Sequence, residues 1–491
     1  MKTISRLVAE RIPMAMLAAG LAGCVSPPVP ERATAPWPPP PDAQRADTVW
    51  SDLRKQAVYG STPLALGDLA DIALRNNPAT RQTWNAARAA AEQVRQAEGY
   101  FMPELDATAG ANRQFMRAEP SSFDTDFLKS SAGLQVNYLI LNMGGGRRAA
   151  VEQALQTVYA ADFSFNASIQ DVLLAVETAY YGAISAEAAV AAAASAVKDA
   201  ESTLRAAKDR KAAGMGTELD VLQAQAGYDQ ALYGMAGAKG QLRTAQGGLS
   251  QVLGLPADIE LRLAASTVEL PDAAEARTIR TLIDEAMRRR PDVAALRSAW
   301  AASEAAVKVA DAALWPSLFF NGAVSRDFYT RWSGQPAQDR DWSYGAGLSL
   351  QWTLFDGMRN TSAQRIAEDR AAEALAHLRQ AELAAGADVW TRYHAFQTAS
   401  QKYAFASAFL RSASASYGLA LDSYKSGLRS ILDLLNAESQ LAQARSQKIA
   451  ARQDAFTALA ALARATGVLE KGGSAEARDL FATPTQKEPK P

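Results

Sequence analysis

The 491 residues include one cysteine, Cys24, and two histidines, His377 and His394. One cysteine excludes an intrachain disulfide, and this inventory cannot build a zinc site or a Cys/His dyad. No nucleophile stands with a base, and no metal-ligand spacing is present. Gly144-Gly145-Gly146-Arg147 lacks the Walker spacing and reads as a strand-to-helix connection. Neither catalysis nor a cofactor is indicated. Neither sign of charge dominates, with 51 basic residues against 52 acidic, so nothing favours nucleic acid. Past the N-terminus no apolar run reaches the ~18 residues of a spanning helix. If the chain crosses a membrane, it does so as a β-barrel.

What is present is written twice. Gly214-Met215-Gly216-Thr217-Glu218-Leu219-Asp220 and Gly427-Leu428-Arg429-Ser430-Ile431-Leu432-Asp433 lie 213 residues apart (427 − 214). Each combines a glycine that stops a helix with a cap, Thr217 or Ser430, and an acid three residues on. Each reads as a tight turn between antiparallel helices. Asn77-Pro78 and Arg290-Pro291 repeat at the same offset, as do Met102-Pro103 and Trp315-Pro316. Such a period is far too long for a solenoid and implies two equivalent halves of one architecture.

In order, residues 1–23 read as an export signal with Lys2, Arg6 and Arg11, a short apolar core, and Leu21-Ala22-Gly23 before Cys24. Its removal takes away three positive charges and Glu10, so the net charge goes from −1 to −3. Residues 24–62 are rich in proline and form an extended tether. The first repeat covers 63–270. It has a short helix at 66–77, a helix at 78–99 with Trp84, Ala87, Ala91 and Val94 on one stripe, and strands at about 105–116 and 131–142. Long helices follow at about 146–213 and 217–254. The second covers 271–468, with strands at about 318–329 and 342–355 and helices at about 358–426 and 430–466. Residues 469–491 are a polar, disordered tail.

The strands alternate over about ten residues, the length of a tilted transmembrane strand, with aromatic residues near their ends. Four strands per chain cannot close a conducting barrel. Copies must share one sheet: two give 8 strands with a filled interior, three give 12 with room for a lumen. The proline-free run from 146 to 213 makes a rod of about 100 Å.

Together, the Cys24 box, the duplicated hairpins, the rods and the motifs Tyr424-x-x-Gly427-x-Arg429-Ser430-x-x-Asp433 and Leu354-Phe355-Asp356-Gly357 resemble the TolC-like outer-membrane efflux family. The likeness is narrower to its lipoprotein branch (OprM-like and NodT-type), the partners of RND pumps. It implies a mixed membrane α+β fold: a homotrimer with a 12-stranded barrel continuous with a 12-helix periplasmic tunnel. It implies Cys24 lipidated in the outer membrane, a periplasmic adaptor, and an inner-membrane pump. It further implies a periplasmic gate at Asp220, Tyr424, Arg429 and Asp433. There Asp220 would accept hydrogen bonds from Arg429 and Tyr424, and Asp433 would form a ring of three carboxylates. Some members carry a second Asp at the next ring position, where this chain has Asn436. Both acids also fit a purely capping role. The leading reading is a passive export duct for small molecules. The alternatives are a periplasmic adaptor lipoprotein and a duct for type I protein secretion.

Overall fold

The computed structural model describes residues 63–116, 125–259, 261–264, 270–271, 278–331 and 339–469. Cys24, the signal and the tether lie outside these residues, as does the tail from 470. The elements run α1 (Leu66–Asn76), α2 (Pro78–Gly99), β1 (Glu104–Met116), β2 (Thr125–Asn142), α3 (Gly146–Ala212), α4 (Glu218–Val252), α5 (Ile279–Arg289), α6 (Pro291–Asp311), β3 (Ser317–Arg331), β4 (Asp339–Gln351), α7 (Arg359–Lys425) and α8 (Ile431–Ala465). The second six repeat the type and order of the first. Both α3 and α7 have 67 residues, and both α4 and α8 have 35.

Three expectations need correction. β2 begins at Thr125 and not at about 131. The stripe of α2 is Thr80, Ala87, Ala90 and Ala97, whereas Trp84 is exposed beneath Arg88. The buried residues follow a seven-residue spacing along α3, on which α2 packs. β4 stops at Gln351, short of 355. There the chain turns toward Asp356, whose carboxylate accepts the amides of Arg359 and Asn360 at 3.0 and 2.9 Å and so caps α7.

The strands form one antiparallel sheet in the order β1-β2-β3-β4. Its two faces differ. Leu318, Phe320, Val324 and Phe328 share one face with Tyr344, Leu348 and Leu350 of β4 and Leu134 and Val136 of β2. Asn321, Ser325 and Asp327 share the other with Ser343, Ser349, Lys129 and Gln135. At Gly133 the backbones of β2 and β3 approach closely. A Cβ there would meet the Val324 carbonyl at 2.6 Å.

Below the sheet, α3 packs along α4, α7 along α8, and α3 and α8 join the two pairs. Buried positions recur by sevens: Ala399, Ala406 and Ala413 in α7, and Ala437, Ala444 and Ala451 in α8. Among the described residues no helix is long and apolar enough to cross a membrane.

Each return helix ends on a left-handed glycine, Gly254 (φ +71°) and Gly467 (φ +76°). A Cβ on Gly254 would lie 2.8 Å from the Asn76 carbonyl, and one on Gly467 would lie 2.8 Å from the Arg289 backbone. Gly145 has φ +73° but open space around it. The left-handed conformation alone costs an alanine about 1–2 kcal/mol. Gly467→Ala adds a backbone clash and should cost about 2–4 kcal/mol. Thermal melting should therefore rank Gly467→Ala below Gly145→Ala, and equal losses would show that the contact is soft.

Glu177 of α3 is 3 % exposed beside Val176 and Tyr180, and its Oε2 has no hydrogen-bond partner among the described residues. Burial pushes its carboxyl up to about 7 from an ordinary 4.5. The folded chain thus holds this proton more tightly than the unfolded one. The associated stability is complete below pH 4.5 and is lost as pH rises through about 7. Glu177→Gln should flatten the dependence of melting temperature on pH across that window. An unchanged slope would place its origin elsewhere.

Candidate functional site at the helix tips

The helix ends far from the sheet are built from the two repeated turns. At the first, Gly214 (φ +75°) lets the Met215 amide reach back to the Arg210 carbonyl at 2.9 Å. At the second, Gly427 (φ +79°) does the same for Leu428 and Ser423, also at 2.9 Å. Reciprocal caps then start the return helices. The Asp220 amide donates to Thr217 Oγ1 at 3.2 Å while Asp220 Oδ2 accepts the Thr217 amide at 3.0 Å. The Asp433 amide donates to Ser430 Oγ at 3.2 Å, and Asp433 Oδ2 accepts from the Ser430 amide and hydroxyl at 3.2 and 2.9 Å. Those bonds, the hydroxyl's first, and the Arg429 charge nearby hold the Asp433 carboxyl below its ordinary range.

Tyr424 is 1 % exposed and packs with Leu204, Ala207, Ile431 and Leu434 in the core that joins the two tips. The expected hydrogen bonds to Asp220 are not made within one chain. The Tyr424 hydroxyl is buried without a partner among the described residues. Its titration is raised chiefly by burial and secondarily by the Asp220 charge, so the two are near but unbonded. Arg429 and Asp433 are exposed, as is Asn436 one turn further along the same side of α8, while Leu434 and Ala437 are buried.

The residue that ties the tips is Arg210, which lies outside both repeated motifs. Its guanidinium donates to the Tyr424 carbonyl at 2.6 Å and to the Met215 carbonyl at 3.1 Å, and lies 4.6 Å from the Tyr424 ring centre. It thereby ties the Tyr424 carbonyl in the last turn of α7 to the Met215 carbonyl in the turn that follows α3. Its signal was a basic residue in the last turn of α3 with no counterpart in α7, where Ser423 stands 213 residues on. Deeper in, Arg445 pairs with Asp199 at 2.6 Å and Thr203 donates to Glu438 at 2.7 Å, linking α3 to α8.

Rods, sheet and capped tips together match one family model, described as outer membrane efflux protein, over residues 69–255 and 282–468. This chain belongs to the outer membrane efflux protein family. Protein CyaE of Bordetella pertussis is 30% identical over 455 residues, covering 91% of this chain and 90% of CyaE. The pyoverdine export outer membrane protein OpmQ of Pseudomonas putida is 27% identical over 479 residues, covering 92% and 96%. Among solved structures, the outer membrane protein VceC of Vibrio cholerae superposes with a TM-score of 0.69 at 20% identity, over 82% of this chain and 96% of VceC. That likeness carries the fold. Membership in the outer membrane efflux family places the chain in the bacterial outer membrane and makes it the channel component of an efflux system.

A buried hydroxyl without a partner adds nothing to stability, whereas the ring around it fills the core. Tyr424→Phe should melt within about 0.5 kcal/mol of the parent, and Tyr424→Ala should lose about 3–5 kcal/mol. A large loss for Tyr424→Phe would mean that the hydroxyl gains a partner in the assembled protein.

Proposed function

We propose that this chain is one third of a closed export duct, anchored by lipid on Cys24 and fed by a periplasmic adaptor and an inner-membrane pump. The observation that carries this is the four-stranded sheet, with one largely apolar face and two outer edges that no strand among the described residues covers. Open edges cannot stand in lipid. Three copies supply 12 strands and leave a lumen, whereas two supply 8 and fill it. The four long helices per chain then give 12 in the periplasmic tunnel. The repetition of six elements at starting offsets of 213 or 214 residues supports an internal tandem duplication in which each half contributes a sixth of the wall.

The adaptor is the occupant that suits the tips. Met215, Leu219, Leu222, Leu428 and Leu432 are all more than half exposed there. Isolated exposed apolar residues are ordinary, but a cluster at one end marks a contact surface. Asp433 faces the lumen as a ring of three carboxylates that favours cations, and Asn436 leaves the next level uncharged. Pyoverdine, exported through OpmQ, is one example of the small-molecule cargo that such a duct passes. Arg429 makes no hydrogen bond or ion pair among the described residues, and Asp220 keeps one carboxylate oxygen beyond its cap bond. We infer that these two meet when the tips are drawn together in the closed assembly.

The purified protein in mild detergent should have the mass of three chains. In planar bilayers, Arg429→Ala and Asp220→Ala should each raise single-channel conductance. A stable monomer would overturn the duct, and unchanged conductance in both variants would overturn the latch alone.

A further inference from the structure

Lys129 and Arg326 lie toward the hairpin end of the sheet on opposite faces. Lys129 lies on the polar face and pairs with Asp327 at 2.9 Å. Arg326 lies on the apolar face, directly opposite Trp342 in the β3–β4 register. Its guanidinium carbon is 5.4 Å from the Trp342 ring centre and 5.7 Å from that of Phe328. It makes no hydrogen bond or ion pair among the described residues, and its Nε is buried without a partner. The neighbouring carboxylates Asp327 and Asp341 occupy positions of the other face. β3 is an interior strand, flanked by β2 and β4 of the same chain. A neighbouring copy added at either edge leaves Arg326 facing outward.

Height in the membrane follows from the aromatic residues. Trp342 and Trp352 are ten residues apart (352 − 342). At ~3.4 Å per residue and a tilt near ~40–45°, that is about 25 Å of vertical separation, the height of the apolar band of an outer-membrane barrel. Trp352 is at the helical end, where its indole donates to the Leu314 carbonyl at 3.0 Å. Trp342 therefore marks the outer boundary, and Arg326 sits at that level. An arginine facing lipid costs about 2–4 kcal/mol at the midplane but only ~0–1 near an interface. Lipid phosphates lie at the interface, and guanidinium binds phosphate through two parallel hydrogen bonds.

We propose that Arg326, set between Trp342 and Phe328, binds the phosphate of a phosphorylated glycolipid of the outer leaflet, with acyl chains against Val324 and Tyr344. The two rings shield the guanidinium from water, which strengthens a charge-assisted bond. Each protomer carries one such site. The proposal rests on the sheet being an outer-membrane barrel. Lipid binding in detergent is measured apart from oligomer mass, so the two can fail separately.

The test uses the detergent-purified assembled protein with bis-phosphorylated lipid A as the probe, followed by native mass spectrometry and thermal melting. The parent should bind lipid A and melt at a higher temperature in its presence. Arg326→Gln should bind about tenfold more weakly, the loss of one charge-assisted contact, and Arg326→Lys should fall between them. Dephosphorylated lipid A and inorganic phosphate should give little shift with the parent. Equal binding of lipid A by parent and Arg326→Gln would overturn the site. Equal binding of the dephosphorylated lipid would reduce it to apolar contact, and an equal shift with inorganic phosphate would make it a free-anion site. Should Arg326→Gln fail to assemble, the three probes on the parent and Arg326→Lys still decide.

Discussion

A backbone amide facing lipid has no water to bond, so every spanning strand needs another strand on each side. β2 and β3 have both neighbours, and β1 and β4 have one each. That single deficit is why we read the chain as a fraction of a wall. It also sets the rest of the design in order. The sheet can carry a largely apolar outer face because a ring of strands would hide its polar one. The helices can be rich in alanine because rods packed side by side need little bulk between them.

The rods show the same economy in their periodicity. Ala399, Ala406 and Ala413 in α7 and Ala437, Ala444 and Ala451 in α8 repeat every seven residues. A seven-residue stripe drifts ~20° per heptad around a straight α-helix, so over 67 residues it turns by about 190°. A straight rod would carry half of its stripe away from its partner. A left-handed supercoil of α7 about α8 would keep the contact continuous. The buried residues of α7 therefore do not keep to one straight face of the helix.

Most of the architecture was legible because it rests on local chemistry. Glycines that need positive φ, prolines at helix starts and acids three residues after a hydroxyl mark where helices stop and begin, whatever the rest of the chain does. Strand alternation showed the four strands, although Trp352–Phe355 continued an apolar pattern that the Asp356 cap cuts short. The stripe of α2 was misplaced for a different reason. A tryptophan looks like core, yet packing against α3 demands small residues, and Ala90 and Ala97 meet that demand better than Trp84. The tips were legible as turns but not as a set of contacts. Which groups meet there depends on long-range geometry between the two halves. Arg210 breaks the repeat, so comparing the halves passed over the residue that joins them.

Capping and a place in a lumen ring are compatible roles for Asp433. The cap occupies Oδ2, which takes both Ser430 bonds, while Oδ1 makes no hydrogen bond among the described residues. A carboxylate crowded by two like charges tends to take up a proton, which would erase the ring's field. The Ser430 bonds act in the opposite direction, because they hold the carboxyl below its ordinary range before any neighbour arrives. A residue placed at a helix start thus resists the protonation that a three-fold ring would impose. That is a physical reason to build such a ring from caps rather than from acids in mid-helix.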